Sequence, residues 1–199
     1  VIKMENILRC VLILSIVFTL FLACTTKDQQ SIIPNEPVPS QPQTPINIER
    51  VTPPKNSDTF YNQGVSYYKD GEYKSAIITF DKAIELDSKY TEAYNYRGLA
   101  YYKSEQYDMA IADFSRAIEI KQDFDSGWNN RGLVYYTTRQ YDVAINDLSR
   151  AIELNPRNAD YYYIRGLSYQ GRGLIELNKT DLDNSILDLG KSIDLQPSA

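Results

Sequence analysis

The chain has 199 residues, a formal net charge of −5, no histidine and two cysteines, Cys10 and Cys24. An acidic chain is a poor nucleic-acid binder, because phosphate contacts from Lys and Arg supply most of that affinity. With no histidine and no cysteine after Cys24, residues 25–199 can build neither a disulfide nor a His- or Cys-ligated metal centre. No metal or cofactor is expected.

Composition divides the chain into 1–23, 24–56 and 57–199. Lys3 and Arg9 precede an apolar run, CVLILSIVFTLFLA, from Cys10 to Ala23. Fourteen residues are too few to cross a hydrocarbon core of ~30 Å as a helix. A positive start, a short apolar stretch and a small residue before the break predict a secretory signal over 1–23. Seven of the nine prolines lie between Pro34 and Pro54 in a polar stretch without periodicity. Such a segment buries too little apolar surface to offset its ordering, so 24–56 reads as a disordered linker.

From residue 57 onwards the chain repeats itself. Gly64, Gly98, Gly132 and Gly166 are each 34 residues apart. Phe60, Tyr94, Trp128 and Tyr162 stand four residues before them, and Tyr67, Tyr101, Tyr135 and Tyr169 three after. Downstream come Ala76, Ala110 and Ala144, then Phe80, Phe114 and Leu148, then Ala83, Ala117 and Ala151. Apolar spacings of three and four, first over Phe60 to Tyr68 and then over Tyr73 to Leu86, predict two amphipathic helices joined by the turn Asp70 to Tyr73. A glycine inside a helix costs ~1 kcal/mol, so its return in every unit points to close helix–helix approach. One hairpin cannot bury its apolar face alone, but a stack of hairpins can.

Two departures carry information. Arg97, Arg131 and Arg165 co-occur with Asp113, Asp147 and Asp188, whereas the first unit has Gln63 and Thr79 at the matching places. Groups that appear and vanish together predict ion pairs between packed helices. In the fourth unit RGLSYQG is followed at once by RGLIELN, adding seven residues, close to two helical turns. The spacing of Leu167, Gly171, Leu174 and Leu177 predicts a long first helix, although Gly171 and Gly173 would allow a break. The last helix has Ser185 and Ser192 in place of alanine, and an uncapped end favours self-association or a covering partner.

The 34-residue pattern over 57–199 resembles the tetratricopeptide repeat. The resemblance implies an all-α, right-handed α-solenoid of four helix pairs, with units 57–90, 91–124, 125–158 and 159–199. It implies a concave face supplied by the first helix of each pair, and hence a groove for a protein or peptide partner. The groove residues would be Tyr61, Val65, Tyr68, Asn95, Leu99, Tyr102, Asn129, Leu133, Tyr136, Tyr163 and Leu167. The family's carboxylate clamp needs cations where this chain has Tyr61, Val65, Ser126 and Asn130, so that clamp is not expected. FLAC, ending at Cys24, resembles the lipobox of bacterial lipoproteins, with Phe21 where Leu, Val or Ile is usual. This implies a Cys24 acylated with fatty acids such as palmitate, and a membrane-tethered mature protein. Thr25 is not the aspartate that retains lipoproteins in the inner membrane, so a two-membrane source would place it on the outer membrane, facing the periplasm.

Catalysis is not expected. Ser66 and Lys69 have S-x-x-K spacing but fall mid-helix, and Asp181, Asp183 and Asn184 lack the glycine and glutamate of a calcium loop, so helix-start carboxylates explain them better. Together these features predict a lipid-anchored scaffold or adaptor at the cell envelope. The alternative is a structural homo-oligomer assembled through the uncapped fourth repeat.

Overall fold

The computed structural model describes residues 56–196, which belong to one compact unit, Pro53–Ala199. The expected signal over 1–23, Cys24 and the proline-rich stretch lie outside the described residues. Among the described residues there are eight α-helices and no strands. They are α1 Ser57–Lys69, α2 Tyr73–Leu86, α3 Thr91–Lys103, α4 Tyr107–Ile120, α5 Asp125–Thr137, α6 Tyr141–Leu154, α7 Ala159–Glu176 and α8 Lys179–Asp194. Their starts are set locally. Asn56, Asn158 and Asn178 each accept a backbone N–H two residues on, at 3.0 Å, supplying the helix N-cap of α1, α7 and α8.

Helices pair as α1–α2, α3–α4, α5–α6 and α7–α8, and each pair stacks on the next, forming an α-solenoid. The first helices α1, α3, α5 and α7 also touch one another along the array, while the second helices diverge. The stack therefore curves towards the first helices, which form its inner face.

Within each pair a glycine faces a large side chain. A Cβ on Gly64 would lie 2.6 Å from the Phe80 ring, on Gly98 2.7 Å from Phe114, on Gly132 2.8 Å from Leu148 and on Gly166 3.0 Å from Leu189. That contact is why the glycine returns every 34 residues. The core also crosses the repeat boundaries. Ala100 packs on Ala76 and Phe80, and Val134 packs on Ala110 and Phe114, with all six fully buried. No hairpin completes its core without the next one.

The seven extra residues of the fourth unit make no break. α7 runs unbroken for 18 residues against 13 in the other first helices, and α8 has 16 against 14 in the other second helices. Gly171 allows α7 to pass the Tyr141 ring, 2.5 Å from where its Cβ would be, and Gly173 allows it to lie against Asp181 and Leu182. The elongated hairpin turns at Leu177, a left-handed residue (φ 55°) whose side chain is almost wholly exposed.

Candidate binding groove

All three predicted ion pairs form, and each is part of a larger cluster. Arg131 donates from Nε and Nη2 to Asp147 at 2.7 and 2.9 Å, and from Nη1 to Ser115 Oγ of the preceding unit at 3.0 Å. Arg165 does the same with Asp188 (2.7 and 2.8 Å) and Ser149 (3.0 Å). Arg97 does so with Asp113 (2.8 and 2.6 Å) and Asp81 (2.5 Å). Aromatic rings flank the guanidinium groups, with Trp128 5.0 Å from Arg131 and Tyr94 5.4 Å from Arg97. These arginines join successive hairpins and leave no free basic row for a ligand. In the elongated hairpin Arg172 adds a further rung, bonding Asp181 at 2.7 Å through both Nε and Nη2 and reaching Asp142. Asp181 is 3% exposed, so it is more than the helix-start carboxylate expected from the sequence.

With Arg97, Arg131 and Arg165 held in these clusters, three rows of uncharged residues run along the inner face. Val65, Leu99, Leu133 and Leu167 run along it at half-buried positions, one from each first helix. Tyr68, Tyr102 and Tyr136 form a second row, each ring tilted against the first residue of the following helix, Tyr73, Tyr107 and Tyr141, at 5.7, 5.9 and 6.2 Å. Burial, with neighbouring tyrosines, raises the pKa of Tyr68 and Tyr136 above the usual phenol value. Burial beside Tyr96 and Glu92 pushes Tyr61 up to about 12. These phenols are therefore hydroxyl donors at neutral pH. Tyr102 Oη lies 3.2 Å from Thr137 Oγ1.

Asparagines make the third row. Asn129 donates to Asn130 at 3.2 Å, and Asn130 donates to Asn95 at 2.9 Å. Asn129 Oδ1 is buried without a partner, an uncompensated acceptor. These amides line a cleft of about 420 Å³ with Leu99, Phe124, Asn158 and Tyr161, and the carboxylates of Glu92 and Asp160 lie on the same lining. Asp125 and Tyr161 brace its edge, Tyr161 Oη donating to the carboxylate at 2.8 Å and Asn155 at 3.0 Å.

Of the eleven expected groove residues, the cleft gathers Asn95, Leu99 and Asn129. Tyr61, Val65 and Tyr68 pack on the Ala76–Phe80–Ala100 cluster, and Leu99 and Tyr102 on the Ala110–Phe114–Val134 cluster, so these residues are also structural. Leu133, Tyr136 and Leu167 are half-buried on α5 and α7, and Tyr163 is 38% exposed. Sequence reasoning missed Glu92, Tyr96, Asp160 and Tyr161 on the first helices, and Asn158 and Phe124, which lie in the connections between units. Asn130 was considered only as a missing clamp cation. Among the described residues no acidic group forms a metal-binding cluster, and no helix is long and apolar enough to cross a membrane.

The periodic glycine contacts, the paired helices and the inner face define a helical-repeat scaffold for protein interaction. Tetratricopeptide repeat models match residues 91–124, and also 64–105 and 140–173. These matched stretches are tetratricopeptide repeats. A crystal structure of MamA is similar, with 27% identity over 71% of this chain and 79% of that one and a TM-score of 0.64. The first such domain of Spaghetti (RPAP3), bound to the HSP90 peptide SRMEEVD, shares the fold at 21% identity. It covers 59% of this chain and 94% of its own, with a TM-score of 0.58. The first domain of human RPAP3 does so at 22% identity, covering 63% and 98%, with a TM-score of 0.60. No curated protein matches the chain in sequence.

Proposed function

We propose that this protein is a lipid-anchored adaptor that holds a polypeptide partner in its inner groove at the surface of a bacterial envelope membrane. The observation that carries the groove reading is the cleft of about 420 Å³ on the inner face, lined by Asn95, Asn129, Asn130, Leu99 and Tyr161 with Glu92 and Asp160, while Arg97, Arg131 and Arg165 are already bonded. Side-chain amides and phenols suit the hydrogen-bonding groups of an extended main chain, and the leucine row suits its side chains. For anchoring, the support is the apolar run ending in Ala23 and Cys24. In a two-membrane source the address is the outer membrane, facing the periplasm.

A photo-reactive residue in place of Tyr102, used in native cells, is expected to capture one recurrent heterologous protein. Capture of nothing but this chain itself would remove the adaptor reading. Cys24→Ser is expected to release the protein from membranes, and undiminished attachment of that variant would remove the lipid anchor.

A second reading has its own observation. Ile145 and Ile152 are 6% and 9% exposed beneath the following helix, whereas their fourth-unit counterparts Ile186 and Ile193 are 50% and 49% exposed. Assembly through α8 would cover them. Light scattering at micromolar to millimolar concentration tests this: a dimer that Ile193→Asp dissociates is the expected sign, and a monomer throughout excludes it.

A further inference from the structure

The cleft on the inner face selects its ligand by charge. Glu92 and Asp160 are exposed, lie on its lining and belong to none of the ion pairs among the described residues. By contrast Asp81, Asp113, Asp147 and Asp188, all outside the lining, are each held by an arginine. No lysine or arginine lines the cleft. Charge in a concave site of one sign is felt strongly by an incoming ligand of the other.

The helix starts around the cleft argue the other way, since each carries about half a positive charge. Each start, however, has its own carboxylate in the first turn: Glu92 in α3, Asp125 in α5 and Asp160 in α7. Asp125, at the edge, accepts from Tyr161 and Asn155, bonds that favour its ionised form. Three full negative charges outweigh about half a positive charge from each of three starts, so the site is negative.

Two neighbours make these carboxylates more than helix-start charges. The Tyr96 and Phe124 rings share the lining, and the faces of such rings attract cations. Phe124 already has Lys121 Nζ 5.8 Å from its centroid, so Tyr96 is the ring left for a ligand. Asn95, only 6% exposed, accepts from Asn130 through Oδ1, which leaves its Nδ2 protons for a main-chain carbonyl. Carboxylate beside aromatic ring is also how this molecule seats its own arginines. Arg97, Arg131 and Arg165 each bond an aspartate and lie 5.4, 5.0 and 5.8 Å from Tyr94, Trp128 and Tyr162. The planar guanidinium, with five N–H donors, suits such a setting better than an ammonium does.

We propose that the cleft takes an arginine side chain from a basic, extended segment of the partner polypeptide, its guanidinium between Glu92 and Asp160 and its main chain on Asn95. The inference rests on the groove reading above and gives the partner a charge.

The test titrates the isotopically labelled full chain with the acetylated, amidated peptide Leu-Ala-Arg-Ala-Leu, and with the same peptide carrying citrulline or glutamate at its centre. The expected result is saturable shifts of the Asn95 side-chain amide and of the Glu92 and Asp160 backbone with the arginine peptide. Citrulline has the same shape without the charge, and its peptide is expected to bind about tenfold more weakly, with glutamate weaker still. Glu92→Gln with Asp160→Asn in the host, its helical circular dichroism intact, is expected to bring the arginine peptide down to the citrulline level. Citrulline or glutamate binding as tightly as arginine would overturn the charge inference and leave the groove reading standing. No shift with any of the three would overturn it as well, the groove reading then being decided by the Tyr102 crosslink. Unchanged arginine affinity in the double variant would count equally against the proposal.

Discussion

Replacing Asp147 by alanine is expected to lower the stability of the repeat domain by about 3–5 kcal/mol, the cost of leaving one member of a buried ion pair alone. Asp147 is 4% exposed and takes two hydrogen bonds from Arg131, whose side chain is 19% exposed. After the substitution the guanidinium keeps only Ser115 and the Trp128 face. Domains have net stabilities of about 5–15 kcal/mol, so the loss is a large part of the whole. Removing both charges together, as Arg131→Leu with Asp147→Leu, should cost far less, because replacing both charged partners with apolar side chains removes the desolvation penalty. Urea unfolding of the three proteins decides it. If the single and double variants are equally stable, water reaches the guanidinium, and the arginine contributes little to joining the third unit to the second.

The second large effect is expected at Phe114. It is fully buried and fills the space beneath Gly98 and against Val134. Phe114→Ala leaves a void that surrounding helices can only partly close, a loss of about 3–5 kcal/mol. Phe114→Leu should cost less than about 1.5 kcal/mol. The reason is on the same molecule: Leu148 and Leu189 already occupy this place beneath Gly132 and Gly166. A leucine variant as damaged as the alanine one would mean that ring shape, rather than filled volume, holds the second hairpin.

Much of this architecture is readable from residue types because the same contact is made four times. Gly opposite Phe or Leu recurs in all four units and Arg with Asp in three, sixteen residues apart except in the elongated fourth unit, where both offsets grow to 23. The hydrogen bonds from Arg131 to Ser115 and from Arg165 to Ser149 were not legible, since a serine on a helix surface carries no mark of its partner. The lengthening of α8 together with α7 also went unseen. The duplication RGLSYQG and RGLIELN is visible in the first helix of the hairpin, but its counterpart, Asp181 seven residues before Asp188, reads as an ordinary helix start. The groove divides in the same way. Its rows follow the 34-residue period, while Asn158 and Phe124 reach the cleft from inter-unit connections, where no periodicity guides the eye. The unpaired Asn129 Oδ1 is a property of packing alone.

The principal contacts of every helix reach only one or two helices along the chain. Such a chain has low contact order, and chains of this kind fold quickly. A nucleus can form in any adjacent pair and spread outward. A polypeptide emerging end-first from a narrow channel, a ribosome or a membrane translocon, would thus have its partners within reach almost as soon as they appear. The first hairpin needs only the following helix to close its core, and it gets that helix after one more short stretch of synthesis or threading. No strand must wait for a distant mate, and little sticky surface is exposed at any moment.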